Sequence, residues 1–499
     1  MGRGIALTAL QANMVVTLFD ISPQVLDNAR SYIKTHLERK GREICLHNLT
    51  LTEDLESLRG AGVVIEAVPE ELALKTELFA RLEQICPPPA VLATNTSTLP
   101  VTAIAASTQT PERVGGMHFF NPAPVLPLVE IVRGARTNSE TVQTMVALAE
   151  MIGKTPVVAK DTPGFIVNRI ARPFYGEALR LLGEGAAAIQ DIDRLVRMSG
   201  GFRMGPFELM DLIGIDVNFT ATQSIYEQTF GEPRYRPHLI QAQMVQQKAL
   251  GRKTGRGFYT YDSETTPEDL FPRLSKNSGQ VVISKGSWAP GLADLCRSAG
   301  YSLANPLSST PVAGIVAAAR SEDLEKLVVQ TDNSLSGDVP LLCQCADVTI
   351  TEVASWIRRP ERLVGFDGLF FTNGRAATLV PSPTLHPQAR EAAENFIASL
   401  GRLSIWVQDS PALILPRIVC MLANEAAFAL GEGVAELATI DKAMQLGTNY
   451  PKGPLAWAKE LGYQRVVEVL DHLRREYRED RYRVAPRLRQ WVRLNQISA

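Results

Sequence analysis

Four short stretches carry side chains that could do chemistry: "TNTS" with Asn95 and Ser97, "HFFNP" with His118, "LVEIV" with Glu130, and "TPGFIVNR" with Asn168. Each polar residue lies in or beside an otherwise apolar run. An imidazole can take up and return a proton near neutral pH, and a serine, a glutamate and an asparagine around it would act as hydrogen-bonding groups. Taken singly, a histidine beside "FF" is more often a satisfied core residue; the company of the other three favours a site. A separate signal stands at the start of the chain. Gly2 and Asp20 have the spacing of a dinucleotide-binding unit, in which the pyrophosphate rests on a helix N-terminus and an acid about 20 residues past the glycines accepts from the adenosine ribose. A strand ending in Asp is also a common turn starter, and spacing alone does not decide between the two.

These residues need a scaffold that gathers strand ends. Over residues 1–160, helix-like and strand-like stretches alternate in the βα pattern of a parallel sheet. "GIALTALQAN" has helical spacing, "MVVTLFD" is a buried-strand run, and "ISPQVLDNARSYIKTHLERKG" is a helix with Ser22 as cap and Gly41 as stop. "AGVVIEAVPE", "AVLATNTS", "RVGGMHFF" and "PLVEIVRG" read as further strands. The four polar stretches then fall near the carboxyl ends of strands or at a domain junction, where open α/β sheets bind ligands. From Asp161 the pattern changes to long apolar helices that close near "GRKTGRGFYTYD".

Sliding the chain on itself reveals an internal repeat at one constant offset. "DTPGFIVNR" at 161–169 lies over "DSPALILPR" at 409–417, "LLGEG" over "ALGEG", Ile192-Asp193 over Ile440-Asp441, and Gly205-Pro206 over Gly453-Pro454. The helical domain is therefore present twice. The stretch before the second copy reads as a degenerate dinucleotide fold: "RLVGFDGLFF" laid over "RVGGMHFF" puts Leu369 opposite His118, and Pro416 stands opposite Asn168. The expected order is a Rossmann-type α/β domain at 1–160 with its first strand truncated, an all-helical domain at 161–262, and a turn-rich linker at 263–279. A degenerate Rossmann-like domain at 280–408 and a second helical copy at 409–499 follow, with one active site per chain.

Composition limits the partners. At 499 residues the chain is long enough for several domains. With 51 Lys and Arg against 53 Asp and Glu, the formal charge of -2 gives no global pull toward nucleic acid or an anionic membrane, so the expected partner is a small molecule. No run approaches the ~18 apolar residues of a membrane span and no secretory start is present, which makes the cytoplasm the expected location. The six cysteines include no CxxC, and Cys343 and Cys345 have neither His nor further Cys nearby. They read as structural thiols rather than metal ligands or disulfides. The Arg-rich "RREYREDRYRVAPRLRQWVRL" is interrupted by acids and reads as a solvated helix and tail.

In this order, "NTS", "HFFNP", "LVEIV", "DTPGFIVNR", "MGPFEL" and "GRKTGRGFY" resemble the NAD-dependent 3-hydroxyacyl-CoA dehydrogenase family over residues 1 to about 262. The second helical copy, with "ATIDKAMQLGTNYPKGPLAWAKELG", is similar to the longer, duplicated members, the 3-hydroxyadipyl-CoA dehydrogenases of bacterial phenylacetate breakdown. The resemblance implies NAD as cofactor, an acyl-CoA as substrate, and oxidation of a (3S)-3-hydroxyacyl-CoA to the 3-oxoacyl-CoA. It implies His118 as general base, Glu130 holding the other ring nitrogen, and Ser97 and Asn168 bonded to the hydroxyl or thioester oxygen. Gly2 would be the packing glycine of the cofactor motif and Asp20 the adenosine-ribose contact. Glu70, Lys75, Asn95 and Ser97 would line the nicotinamide-ribose side, and Lys253 would touch cofactor or coenzyme A. The less favoured alternative for Glu70 and Lys75 is a solvated helix start with a surface ion pair, and a basic Gly-rich loop such as that of Lys253 is as often only a turn.

The acyl chain stays open. A 3-hydroxybutyryl-CoA or general β-oxidation substrate is the alternative, and a non-catalytic acyl-CoA-binding scaffold is another. Short relatives suggest a homodimer through the helical domain, or here an intramolecular pseudo-dimer. In relatives the cofactor motif runs G-x-G-x-x-G after a first strand, and Met1-Gly2 coincides with its last two positions. The expectation is that an internal methionine has been taken as residue one. Without the preceding strand, two ladder edges stay unpaired and NAD binding is badly weakened.

Overall fold

A computed structural model of the chain describes residues 1–261, 272, 277–284, 291–304, 311–318 and 320–498. The first sheet region runs α1 (Gly2–Gln11), β1 (Val16–Phe19), α2 (Pro23–Glu38), β2 (Leu49–Thr52), β3 (Val63–Glu66), α3 (Leu72–Ile85), β4 (Val91–Thr94), α4 (Val101–Ala105), β5 (Val114–Phe119), β6 (Leu128–Arg133), α5 (Ser139–Met151), β7 (Thr155–Lys160) and α6 (Val167–Ile170). Local chemistry sets several of these ends. Asp20 Oδ1 accepts from the Ser22 N–H at 3.0 Å, and Pro23 then starts α2 with a φ already suited to a first helical turn. β4 is buried on both faces. Val91 and Ala93 pack with Ile5 and Met145 on one side, Leu92 with Phe79 and Ile104 on the other.

β1 and β2 pair as a two-stranded parallel sheet, and β3-β4-β5-β6-β7 form a separate five-stranded one. Among the described residues no strand joins β1 to β3. Gly2 at the head of α1 faces both regions, a Cβ there lying 3.8 Å from Ala67 and 3.9 Å from Leu18. The βα alternation predicts a uniformly parallel sheet. The structure departs from this at β5 and β6, which are antiparallel, because residues 120–127 are too few for the crossover that a parallel neighbour requires.

The first helical segment continues as α7 (Arg172–Gly183), α8 (Ile189–Met198), α9 (Pro206–Ile213), α10 (Ile215–Gln228) and α11 (Leu239–Gln246). The expected linker at 263–279 falls outside the described residues except at Pro272 and 277–279. A second sheet region then repeats the first with β8 (Gln280–Ile283), α12 (Leu292–Ser298), β9 (Ser302–Leu303), β10 (Ala313–Val316), α13 (Ser321–Ser334), β11 (Leu341–Gln344), α14 (Ile350–Trp356), β12 (Leu363–Phe366), β13 (Ala376–Pro381), α15 (Pro387–Ser399) and β14 (Leu403–Trp406). Its strand order is β14-β13-β12-β11-β10-β8-β9, again with one antiparallel pair, β12 and β13. The chain ends in α16 (Leu415–Gly431), α17 (Leu437–Thr448), α18 (Pro454–Leu461), α19 (Tyr463–Tyr477) and α20 (Pro486–Ser498). All six cysteines are buried free thiols, and among the described residues no helix is long and apolar enough to cross a membrane.

The two sheet regions share details that fix their alignment. A "PER" turn precedes both β5 and β12. Asp161 accepts from the Val101 and Thr102 N–H groups at the head of α4, and Asp409 does the same for Ile350 and Thr351 at the head of α14. Counting from Arg113 and Arg362 without a gap, the counterpart of His118 is Asp367. This corrects the placement of Leu369 there, which matched the "FF" pairs at the expense of the strand register.

By internal contacts the chain divides into Met1–Ile170 with Ala429–Gly453, and Ala171–Phe428 with Pro454–Ala499. The first unit therefore contains α17, which packs on α6, β6 and β7; the second contains α8, which packs on β13. The exchange is reciprocal. Lys160 N–H donates to the Val434 carbonyl at 2.9 Å, and Gln408 N–H to the Ala186 carbonyl at 2.8 Å, the same pair moved by the repeat offset. Likewise Arg169 meets Glu432 and Arg417 meets Glu184, each at 2.8 Å.

Candidate active site

The antiparallel pairing of β5 with β6 sets His118 directly opposite Glu130. His118 Nδ1 lies 2.6 Å from Glu130 Oε2, with Glu130 fully buried and His118 nearly so. Glu130 Oε1 accepts from the Ile166 and Val167 N–H groups at 3.0 and 2.9 Å, so both carboxylate oxygens are engaged. A carboxylate can only accept; with it bonded to Nδ1, the ring proton sits on Nδ1 and Nε2 presents a lone pair. Phe120 and Phe165 pack beside the ring at 4.6 and 5.9 Å. Phe165 holds a left-handed φ of 47°, a costly conformation for a bulky residue, in the turn that delivers the Ile166 and Val167 amides. The second copy keeps that turn at Ala412 and Leu413, with φ of 63° and 54°.

Around this pair the end of β4 supplies the remaining polar groups. Asn95 Oδ1 accepts from the Phe119 N–H at 2.8 Å, tying the ends of β4 and β5 together. Asn168 Nδ2 donates to the Ser97 carbonyl at 3.4 Å, and the Ser97 N–H and Oγ donate to Glu70 Oε1 at 2.8 and 3.3 Å. Glu70 Oε1 also takes bonds from Thr96 and Thr98. Burial alone would raise the Glu70 carboxyl, but the Thr96 hydroxyl, the Lys75 charge and the Ser97 and Thr98 amides outweigh it and hold it at about 2. Glu70 thus stays ionised at any working pH and organises the 95–98 loop. The first unit brings together Ser97, His118, Glu130 and Asn168, with Glu70 and Asn95 beside them.

Lys75 is not a surface residue. Its Nζ lies 2.6 Å from Glu66 and 3.2 Å from Glu70, and its side chain is 1% exposed. Glu66 also accepts from the Val68 N–H and the Thr94 hydroxyl, each at 2.7 Å. Sequence reading missed Glu66; the available signal was an acid inside the apolar run "VVIEAV". By strand register Val316 occupies the place of Glu66 in the second sheet region, and aligning α3 with α13 from their first residues puts Leu324 opposite Lys75; both are buried. An apolar pair therefore satisfies the fold at this position, and the ion pair serves the site. Lys75→Ala is expected to cost about 3–5 kcal/mol, because it strands the Glu66 charge in the interior. The double variant Glu66→Val/Lys75→Leu is expected to unfold in urea within about 2 kcal/mol of wild type yet to lose NADH affinity in a fluorescence titration.

The remaining expected residues are spread along the fold. Gly2 opens α1, whose first amides have no side-chain cap and no acid in the first turn. Asp20 directly follows β1, and among the described residues its Oδ2 has no hydrogen-bond partner. Uncapped amides at a helix head, a carboxylate at the end of the neighbouring strand, and Glu70 and Asn95 beyond β3 and β4 form a donor and acceptor set that fits a nicotinamide dinucleotide. Lys253 belongs to the second unit, where its Nζ binds both oxygens of Asp216 at 2.5 and 2.7 Å. It is not among the residues that the first unit gathers.

The second sheet region has lost this equipment. Ala346 and Pro416 stand where Ser97 and Asn168 would be and offer no side-chain hydrogen bond. Beyond the ends of β10 and β11, Arg465 bonds Asp347 and the Ala318 carbonyl, each at 2.7 Å and buried. Asp367 accepts from the Leu369 and Phe370 N–H groups, and burial pushes its carboxyl up to about 7 despite these bonds.

The family described as "3-hydroxyacyl-CoA dehydrogenase, NAD binding domain" matches residues 1–162. "3-hydroxyacyl-CoA dehydrogenase, C-terminal domain" matches residues 164–261 and again 413–499. The 3-hydroxyadipyl-CoA dehydrogenase of Escherichia coli (strain K12) is 38% identical over 98% of this chain and 95% of its own length. A probable 3-hydroxybutyryl-CoA dehydrogenase of Bacillus subtilis (strain 168) is 40% identical over 53% of this chain and 96% of its own. The crystal structure of a 3-hydroxybutyryl-CoA dehydrogenase from Escherichia coli K12 superposes with a TM-score of 0.84 at 36% identity, covering 100% of this chain and 97% of that one.

Proposed function

The chain belongs to the 3-hydroxyacyl-CoA dehydrogenase family and is an NAD-dependent oxidoreductase, and from that premise we propose that its substrate is 3-hydroxyadipyl-CoA and its base His118. The observation that carries the base is the 2.6 Å bond between His118 Nδ1 and Glu130, which leaves Nε2 to receive a proton. The 3-hydroxyl of the substrate gives its proton to Nε2 as the carbinol C–H electrons depart and the C=O bond forms. Bound NAD supplies the hydride acceptor. Glu130 offsets the positive charge that develops on the ring, without moving. Ser97 and Asn168 hold the hydroxyl and thioester oxygens, which converts an encounter into an oriented reaction.

The acyl chain is inferred from the full-length match to the adipyl-named relative, against a solved relative that carries the butyryl name. NADH formation followed at 340 nm is expected to give kcat/KM for 3-hydroxyadipyl-CoA at least about tenfold above that for 3-hydroxybutyryl-CoA. The reverse order would assign the shorter substrate. The reciprocal contacts support a second reading, that the two helical segments form an intramolecular pseudo-dimer. Each side repeats the other's bonds, as in an isologous interface. With its second sheet stripped of catalytic groups, such a pseudo-dimer carries one active site.

A further inference from the structure

We propose that α17, a helix of the half that has lost its own chemistry, positions the catalytic Glu130 and Asn168 of the other half; this rests on the dehydrogenase reading above. Two contacts, one from α17 and one from the turn that leads into it, reach α6, the single turn that presents Asn168 and whose entry supplies both amides to Glu130, and a third from that turn holds the end of β7. Gly447 of α17 is pressed against Val167 and Leu128 so closely that a Cβ would lie 3.0 and 2.8 Å from their side chains. Leu128 is on β6, two residues from Glu130 and on the same face. Arg169, next to Asn168 and buried, is tied to Glu432 at 2.8 Å. The Lys160 N–H, at the end of the strand that flanks Glu130, is bonded to Val434. The backbone that aims Glu130 at His118 is thus fixed from behind by residues 432–447, which explains why the second helical segment is retained beside a sheet that has no base.

The test is Gly447→Leu, which adds bulk at the contact while improving helix propensity, so that α17 itself is not weakened. The expected result is a fall in kcat of about tenfold or more for NADH formation, with NADH affinity unchanged within about twofold and thermal midpoint within a few degrees, and at least threefold recovery in Gly447→Leu/Val167→Ala, where the clash is relieved. A kcat within twofold of wild type, or a loss that Val167→Ala does not recover, would overturn the proposal. Should Gly447→Leu fail to fold, Glu432→Ala at a half-exposed position serves instead. There kcat is expected to fall about threefold at unchanged NADH affinity, and wild-type kcat would overturn the proposal. Wild-type activity is the reference throughout: its absence would refute the dehydrogenase reading, not the bracing.

Discussion

His118→Gln is expected to lower kcat by about 10³-fold while leaving NADH affinity within about twofold of wild type, as measured by single-turnover NADH formation and by fluorescence titration. The amide fills much of the imidazole's volume between Phe120 and Phe165, so the apolar wall survives. It can still donate to Glu130, so that carboxylate is not stranded. What it lacks is a basic nitrogen at the Nε2 position. The proton of the substrate hydroxyl then has no acceptor, and the C–H electrons cannot leave without building an oxocarbenium-like charge on carbon.

Glu130→Gln is expected to reduce kcat by about 10²- to 10⁴-fold with little loss of fold. Its carbonyl oxygen can still accept from the Ile166 and Val167 amides, which preserves the α6 turn. The other end of the side chain becomes an N–H donor facing Nδ1. His118 must then move its proton to Nε2 to accept that bond, and the nitrogen that should take the substrate's proton arrives already protonated. Because the two variants disable one proton path, their effects are not additive, and the double variant is expected to resemble the more severe single one.

The pair proposed as catalytic stood out in the sequence because buried strands seldom carry polar residues without a reason, and "MHFF" and "LVEIV" each carry one. Their contact was implied by the family resemblance but not by the strand pattern. It depends on β5 and β6 running in opposite directions, and the βα alternation argues for a parallel neighbour until the shortness of 120–127 is weighed. Lys75 illustrates a different limit. Its position at a helix start is compatible with solvent or with burial, and only Glu66, nine residues earlier on a neighbouring element, decides the matter. The repeat was legible residue by residue where the helical segments kept their spacing; in the sheets only its general kind could be read, because similarity had decayed to caps and turns such as Asp161 with Asp409. The error at Leu369 came from aligning side-chain types where strand register was the better guide. Least legible of all was the docking of α17 on β6 and β7, since a helix pattern gives the face that is buried and not the element that buries it.

Catalysis by this site depends on which nitrogen of His118 carries the proton. The chain contains 6 histidines, few enough for nitrogen NMR after selective 15N-histidine labelling, with His118 assigned from the His118→Gln variant. The wild-type enzyme is expected to show His118 with Nδ1 protonated and Nε2 bare, and Glu130→Gln is expected to reverse that pattern. A protonated Nε2 on a neutral ring in the wild-type enzyme would contradict the account, because the nitrogen left for the substrate could not then serve as its base.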